Sequence, residues 1–505
     1  MFGVIDGTRL PGPARARPSA VAHVVGLVLL IGGIGMVVSG GVDAIGGGPH
    51  VLELVVSGVG IGLVGLALNR ATRVPDRVPN TSIFAAVTAS WVVLSVASTI
   101  PYLLTGTFDR FDDALFESIS GLTTTGASVL SPVEGVESGI LFWRSMTQWF
   151  GGMGVIVLVV AVLPALRVGG LELLQAEAPG PSDPRLDPRV RHSARRLWGL
   201  YGGFTLLIAT VYFVGGMTLF DAVNHSFTTI STGGFSTRDA SFAHFDSAFL
   251  EWAATVFMFM AGVNFALYWR VLRGKPGALF RSTLVRWYVA MVGLVIGAAI
   301  VTNLAEVGFS HEVARQTAFT VVATATTTGY GLADYTAWAV AIQGLLLALM
   351  AIGAMAGSTA GGFKVIRFVL ILDYAKRELR RAMHRRLVRP LRIGTDPVDE
   401  ATVSRIMGFT VLFLMLIVAG SVGIAAFHAD LVTAASAATT SMGNVGPGLG
   451  AIGPTDTFLA LDPGARVITM GLMLLGRLEI FPVLLAVAAI PTWRARRRRD
   501  SAGPR

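Results

Sequence analysis

Thr317–Gly331 reads TAFTVVATATTTGYG: a short small-residue and hydroxyl segment, a threonine cluster, a glycine and a turn. The same order occurs three more times. Ala114–Ser128 is ALFESISGLTTTGAS, Ala222–Thr237 is AVNHSFTTISTGGFST, and Ala434–Gly448 is AASAATTSMGNVGPG. Aligning the four puts Gly126, Gly234, Gly329 and Gly446 at one register, 108, 95 and 117 positions apart. A unit repeated at such spacing decides an architecture before any single motif does.

Each echo lies between two long apolar runs. Ten stretches approach the ~20 residues that carry a helix across a ~30 Å hydrocarbon core. They are Val21–Val38, Val51–Leu68, Ser82–Leu104, Phe142–Leu163, Leu197–Leu219, Leu250–Leu267, Val285–Leu304, Ala337–Met355, Ile406–Ala426 and Val467–Ile490. Apolar residues make up 53% of the 505 and charged residues 14%, which excludes an ordinary soluble domain. The segment before each glycine is too short to cross, so it reads as a half-helix entering from outside. The glycine-bearing piece then returns as extended chain. Irregular backbone at that depth is tolerated only inside protein or along a wet cavity. The expected fold is an all-α integral membrane protein of about ten transmembrane helices. Four helix–pore loop–helix repeats surround one central pore with pseudo-fourfold symmetry. The expected boundaries are 1–80 for two extra amino-terminal helices, then repeats at 81–175, 176–275, 276–395 and 396–505, the last with a basic cytoplasmic tail.

The net charge of +9 fits this frame better than it fits nucleic acid. With the amino terminus inside, basic residues fall on inner segments: Arg9, Arg15 and Arg17, Arg70 to Arg77, Arg189 to Arg196, Arg270 to Arg286, Lys376 to Arg392, and Arg494 to Arg499. The outer segments hold Arg110, Arg144, Arg238, Arg315 and Arg466. This is the positive-inside bias, with both termini cytoplasmic. The chain has no cysteine, so disulfides and thiolate chemistry are excluded. The arginines before the first apolar run resemble a signal peptide, but no A-x-A-like site follows, and the run reads as a retained helix.

The residues at the echoes suit a bare potassium ion. Backbone carbonyl rings in T-V-G-Y-G filters replace its water shell, and glycine opens the backbone angles such a loop needs. Thr327-Thr328-Gly329-Tyr330-Gly331 departs from that pattern at one position. Thr124-Thr125-Gly126, Thr232-Gly233-Gly234 and Asn444-Val445-Gly446 are its degenerate counterparts. The plainer reading is close helix packing by small residues, which leaves the four matched frames unexplained. Asp109, Asp112, Asp113, Glu117, Asp239 and Asp334 lie nearby, either as a cation-concentrating mouth or as solvated loop charges.

On TTTGAS, STGGFST, ATTTGYGLADY and SMGNVGPGLG, the chain resembles the Trk/Ktr/HKT superfamily of potassium transporters, and within it the bacterial TrkH type. RSMTQWFGGMGVIVL (Arg144–Leu158), GSTAGGFKVIRF (Gly357–Phe368) and LLGRLEIFPVLL (Leu474–Leu485) extend the likeness. The two extra amino-terminal helices favour TrkH over Ktr. The resemblance implies potassium uptake across the bacterial cytoplasmic membrane, a homodimer with one pore per chain, and gating by a TrkA-like cytoplasmic nucleotide-binding ring. It also implies potassium selectivity from Gly126, where sodium-selective relatives carry serine. No cofactor is implied. A sodium- or proton-coupled symporter of the same fold is the alternative.

Glycines from Gly353 to Gly362 break the span after the third echo, leaving a flexible stretch or a kinked packing face. The resemblance makes Gly357, Ser358, Thr359, Gly361 and Gly362 an intramembrane gate. Arg477 sits inside the last span, where a charge faces a cavity or a partner, and Glu479 is on another helix face. By resemblance Arg477 joins the gate. Lys364 either snorkels inward or joins it too. His225, in the second half-helix, reads as packing rather than proton transfer. Gly60, Gly62 and Gly65 spell G-x-G-x-x-G inside an apolar span, with no strand before them, so helix packing is the better account. No base–nucleophile pair or metal cluster supports an enzyme.

Overall fold

The computed structural model describes residues 17–75, 78, 80–161, 188–308, 310–384, 390–394 and 396–488. The inner basic residues outside this set include Arg9, Arg15, Arg77 and Arg494 to Arg499 of the basic tail.

Among the described residues, six helices are long and apolar enough to cross a membrane. These are Ala20–Ile45, Val51–Ala71, Thr81–Leu104, Arg195–Val214, Thr283–Thr302 and Glu400–Ala425. Their outer faces carry bare aliphatic side chains such as Leu63, Leu206 and Leu294. In water such a surface would drive aggregation; against lipid tails it is the matching solvent. The first two helices form a hairpin whose close approach depends on glycine. A Cβ on Gly33 would stand 2.4 Å from the Gly58 carbonyl oxygen, and one on Gly65 would stand 2.6 Å from that of Gly26. Gly60 lies in mid-helix, not in a strand-to-helix loop, and a Cβ on it would meet nothing within 4 Å, so it takes no part in this contact. Buried Asp43 ties the hairpin to the body by accepting the Gly139 N–H at 2.9 Å.

Three expected spans are not single helices. Leu250–Leu267 divides into Ala248–Ala261 and Phe265–Leu272, bent by 98°. The Asn264 side chain accepts the Ala266 N–H at 2.8 Å and starts the second piece. Val467–Ile490 divides into Pro463–Arg477 and Ile480–Ala488, bent by 104°, with Glu479 left-handed between them. Ala337–Met355 keeps only the helix Val340–Ile352, about 20 Å long at the α-helical rise, before Gly353 turns it. The helix resumes at Val365 and runs to Met383. The break at Gly353 is the one the glycine run announces; the other two escape hydropathy, because the asparagine or arginine at each is outvoted by its apolar neighbours. In the first repeat, Ser138–Ala161 runs unbroken.

Candidate functional site

Four short helices define the centre: Phe111–Leu122, Leu219–Ile230, His311–Ala325 and Leu431–Gly443, hereafter half-helices 1 to 4. They have 12, 12, 15 and 13 residues, or roughly 18–23 Å, too short to cross. Thr218, Ser310 and Asp430 cap the outer ends of the last three.

All four inner ends close in the same way. The N–H groups of Thr125, Gly233, Thr328 and Val445 reach the carbonyls of Ser120, Thr228, Ala323 and Thr440 at 2.8–3.0 Å. Those of Thr124, Thr232, Thr327 and Asn444 reach Gly121, Thr229, Thr324 and Ser441. This paired pattern is a Schellman motif, whose left-handed residue is usually glycine. Here it is Thr124, Thr232, Thr327 and Asn444, at φ +52°, +53°, +57° and +55°. A left-handed side-chain-bearing residue costs about 1–2 kcal/mol, and a β-branched one is an outlier. Three threonines holding the same strained turn mark a functional position.

Two residues on, the glycines meet in a closed ring. A Cβ on Gly126 would stand 2.1 Å from the Gly233 carbonyl oxygen, and one on Gly234 would stand 1.9 Å from that of Thr328. A Cβ on Gly329 would stand 1.9 Å from the Val445 oxygen, and one on Gly446 would stand 2.6 Å from that of Thr125. Loop 1 therefore touches loop 2, loop 2 loop 3, loop 3 loop 4, and loop 4 loop 1. In Thr124–Gly126, Thr232–Gly234, Thr327–Gly329 and Asn444–Gly446 there are twelve carbonyls. Gly233 accepts from Gln148 Nε2 at 2.7 Å and Gly446 from Thr440 Oγ1 at 3.1 Å. Among the described residues the other ten accept no hydrogen bond. Backbone carbonyls without a donor are expensive away from water, so this axis is shaped for something positive. The half-helix carboxyl ends add about half a negative charge each.

Side chains brace the ring from behind. Gln148 spans loop 2, donating to Gly233 and accepting from the Phe235 N–H at 3.1 Å. One turn earlier, Arg144 pairs with Glu117 at 2.7 Å, lies 4.1 Å from the Phe235 ring centroid, and donates to Ser236 O at 3.2 Å. Glu117 also accepts from Ser128 Oγ and from the Val129 N–H. The expectation that Glu117 is a mouth or loop charge, and Arg144 an outer-loop charge, is therefore corrected. Both are buried, because each neutralises the other. The remaining acids are exposed or locally engaged: Asp112 with Arg110, Asp113 with Arg466, Asp239 with the Val133 N–H, and Asp334 with Thr336. His225 Nδ1 donates to Asp221 O and Nε2 meets Ser236 Oγ at 3.0 Å, so it holds loop 2 rather than merely packing. Asn444 Nδ2 joins loop 4 to loop 1 through Thr125 Oγ1 at 3.1 Å.

Beneath the ring lies the segment Gly353–Lys364. Its Gly361 N–H donates to Thr327 Oγ1 at 2.7 Å, and Thr359 Oγ1 donates to Ile230 O at the end of half-helix 2. A Cβ on Gly361 would stand 2.2 Å from the Gly443 oxygen. Gly357 and Gly362 are left-handed, and Ser358 closes a turn onto Met355. Lys364 Nζ donates to Ala360 O, folding the cation into the segment. Arg477 Nη1 donates to Thr359 O at 2.8 Å and Nη2 to Gly151 O at 3.3 Å, and its buried Nε has no partner among the described residues. Glu479 pairs with Arg367 instead.

The twelve residues singled out at the echoes thus meet in one ring, and the seven expected at the gate assemble under it. Sequence reasoning missed Gln148 and the true place of Arg144. Their signal is two polar side chains one turn apart in an otherwise apolar span.

Four helix–loop–helix units closed around a carbonyl-lined axis define a multi-pass membrane transport protein. Residues 61–282 and 278–494 each match the TrkH family, described as cation transport protein. The Trk system potassium uptake protein TrkH of Salmonella typhimurium is 35% identical over 94% of this chain and 99% of its own length. The protein of the same name from Halomonas elongata is 38% identical over 85% and 89%. The crystal structure of the potassium transporter TrkH from Vibrio parahaemolyticus superposes with a TM-score of 0.85 at 31% identity, covering 92% of this chain and 97% of that one. The chain belongs to the TrkH family, a family of transporters and not of enzymes.

Proposed function

We propose that this chain takes up potassium across the bacterial cytoplasmic membrane, with both termini inside. The ring Thr124–Gly126, Thr232–Gly234, Thr327–Gly329 and Asn444–Gly446 serves as the selectivity filter. The observation that carries this reading is the set of ten carbonyls with no hydrogen-bond donor, gathered where four chain segments touch in a cycle. Those oxygens stand in for the hydration of K⁺, and the four helix ends favour its charge. The relatives' names point to the same ion.

Gly353–Lys364 is the gate. It plugs the inner end of the axis, and Arg477, always charged and with no carboxylate against it among the described residues, repels cations while the plug is docked. A TrkA-like nucleotide-binding ring at the cytoplasmic face moves the gate, and two copies of the chain form the working dimer. The repeats fall at 81–175, 176–275, 276–395 and 396–505.

Purified chain reconstituted alone into liposomes tests the core of this. Rubidium-86 entry that resists excess sodium and needs no sodium or proton gradient is the expected result. Entry that sodium abolishes overturns the filter, as does a lack of entry in any gradient even when Arg477→Ala has released the plug. Entry that requires a sodium or proton gradient identifies a coupled symporter instead.

A further inference from the structure

The four loops are not braced alike. Six positions before the ring glycine, repeats 1 and 4 carry a hydroxyl that ties the outer half of the loop to its own half-helix. Ser120 Oγ donates to Ala127 O at 2.5 Å, and Thr440 Oγ1 lies 3.1 Å from both Gly446 O and Pro447 O. Nine positions before the glycine, repeats 1 and 2 carry a second brace, Glu117 to Ser128 and His225 to Ser236. Repeat 3 has neither. Ala323 stands at the first position, the buried Thr320 Oγ1 at the second has no partner among the described residues, and Gly331, at the register of Ser128 and Ser236, has no side chain.

Loop 3 is held by repeat 2 instead. The Tyr330 hydroxyl lies 2.5 Å from Thr228 Oγ1, 2.9 Å from Thr229 Oγ1 and 3.1 Å from His225 O. The His225 carbonyl only accepts and each hydroxyl carries one proton, so the phenol, Thr228 and Thr229 share one network in which every contact of the phenol lies within repeat 2. Phe242 packs on the tyrosine ring, with centroids 4.5 Å apart, and its N–H reaches Gly331 O at 3.1 Å. The hydroxyl that braces its own loop in repeats 1 and 4 is, in repeat 2, spent on the neighbouring loop.

We infer that Tyr330 is a specificity-determining positioning residue. Its hydroxyl, hung on Thr228 and Thr229 of the adjoining repeat, fixes where the loop 3 carbonyls stand. This rests on the ring acting as the filter. Without the hydroxyl, the inner Schellman bonds of Thr327 and Thr328 remain, so the ring still forms and still passes ions. The outer oxygens then relax toward a smaller cation. What is lost is discrimination, not throughput.

The test measures rubidium-86 and sodium-22 entry into liposomes for Tyr330→Phe, Thr228→Val and the double variant. The expected result is an about tenfold fall in the rubidium-to-sodium ratio for each single variant, the factor one lost hydrogen bond commands. The double variant should show little further loss, since both changes cut one link. An unchanged ratio in Tyr330→Phe overturns the inference, as does reduced entry of both ions at constant ratio, or two effects that multiply. Should Tyr330→Phe fail to fold, Thr228→Val, which keeps the tyrosine, decides by the same ratio. A wild-type protein with no rubidium preference would instead remove the filter reading itself, a separable outcome.

Discussion

Arg477 Nη1 and the carbonyl oxygen of Thr359 lie 2.8 Å apart, so a buried guanidinium in the last span clamps the segment beneath the ring. Both the charge and the clamp come from one side chain.

Arg477→Ala is therefore expected to raise rubidium entry in liposomes without any cytoplasmic partner, by about tenfold or more if one charge-assisted hydrogen bond holds the segment. Arg477→Lys keeps the charge but loses the paired geometry and should fall between. Basal entry equal to wild type in both variants would refute the clamp.

Gly329→Ala places a methyl 1.9 Å from the Val445 oxygen at φ +74°, a contact that backbone must yield to relieve. Rubidium entry should drop at least a hundredfold while the protein still purifies as a folded species. Retained entry would mean that loops 3 and 4 are apart in the membrane.

The amino-terminal hairpin offers a contrast. Gly33→Ala should lower the unfolding temperature in detergent, because its Cβ meets the Gly58 backbone at 2.4 Å. Gly60→Ala, with open space around it, should be silent. Neither should alter the rubidium-to-sodium ratio.

Arg144→Met leaves Glu117 buried without its cation and should cost about 3–5 kcal/mol, read as a large fall in thermal stability. Replacing both, Glu117→Leu with Arg144→Met, should cost less, because no charge is stranded. If the double variant is the less stable of the two, the pair is not the unit described here.

Gln148→Leu removes the donor to Gly233 and the acceptor for Phe235 at once. Two orphaned backbone groups cost about 1–3 kcal/mol each, and the loss falls on loop 2. Selectivity should weaken while total entry persists; liposome flux with rubidium-86 against sodium-22 reports it.

Much of this site was legible because its chemistry is local. The left-handed threonines and the glycines that follow sit within three residues of one another, so each echo carries its own turn signal. Four copies then imply a common centre. Gly353–Lys364 was legible for a similar reason, since glycine and serine interrupt an apolar run. The braces were not. Arg144 and Glu117 are 27 positions apart and Gln148 and Gly233 are 85, and nothing in either neighbourhood states the pairing. Arg144 even misled, because a lone arginine near a span end looks like a topology marker until its carboxylate is found. The bends at Asn264 and Glu479 were hidden by averaging, since hydropathy sums what geometry divides.

The bond between Asn444 and Thr125 spans 319 positions, and without its last quarter the chain has three loops and an open side. A polypeptide still emerging into the bilayer therefore has an unclosed ring. Closure is a property of the finished fold, and a prematurely stopped chain never reaches it.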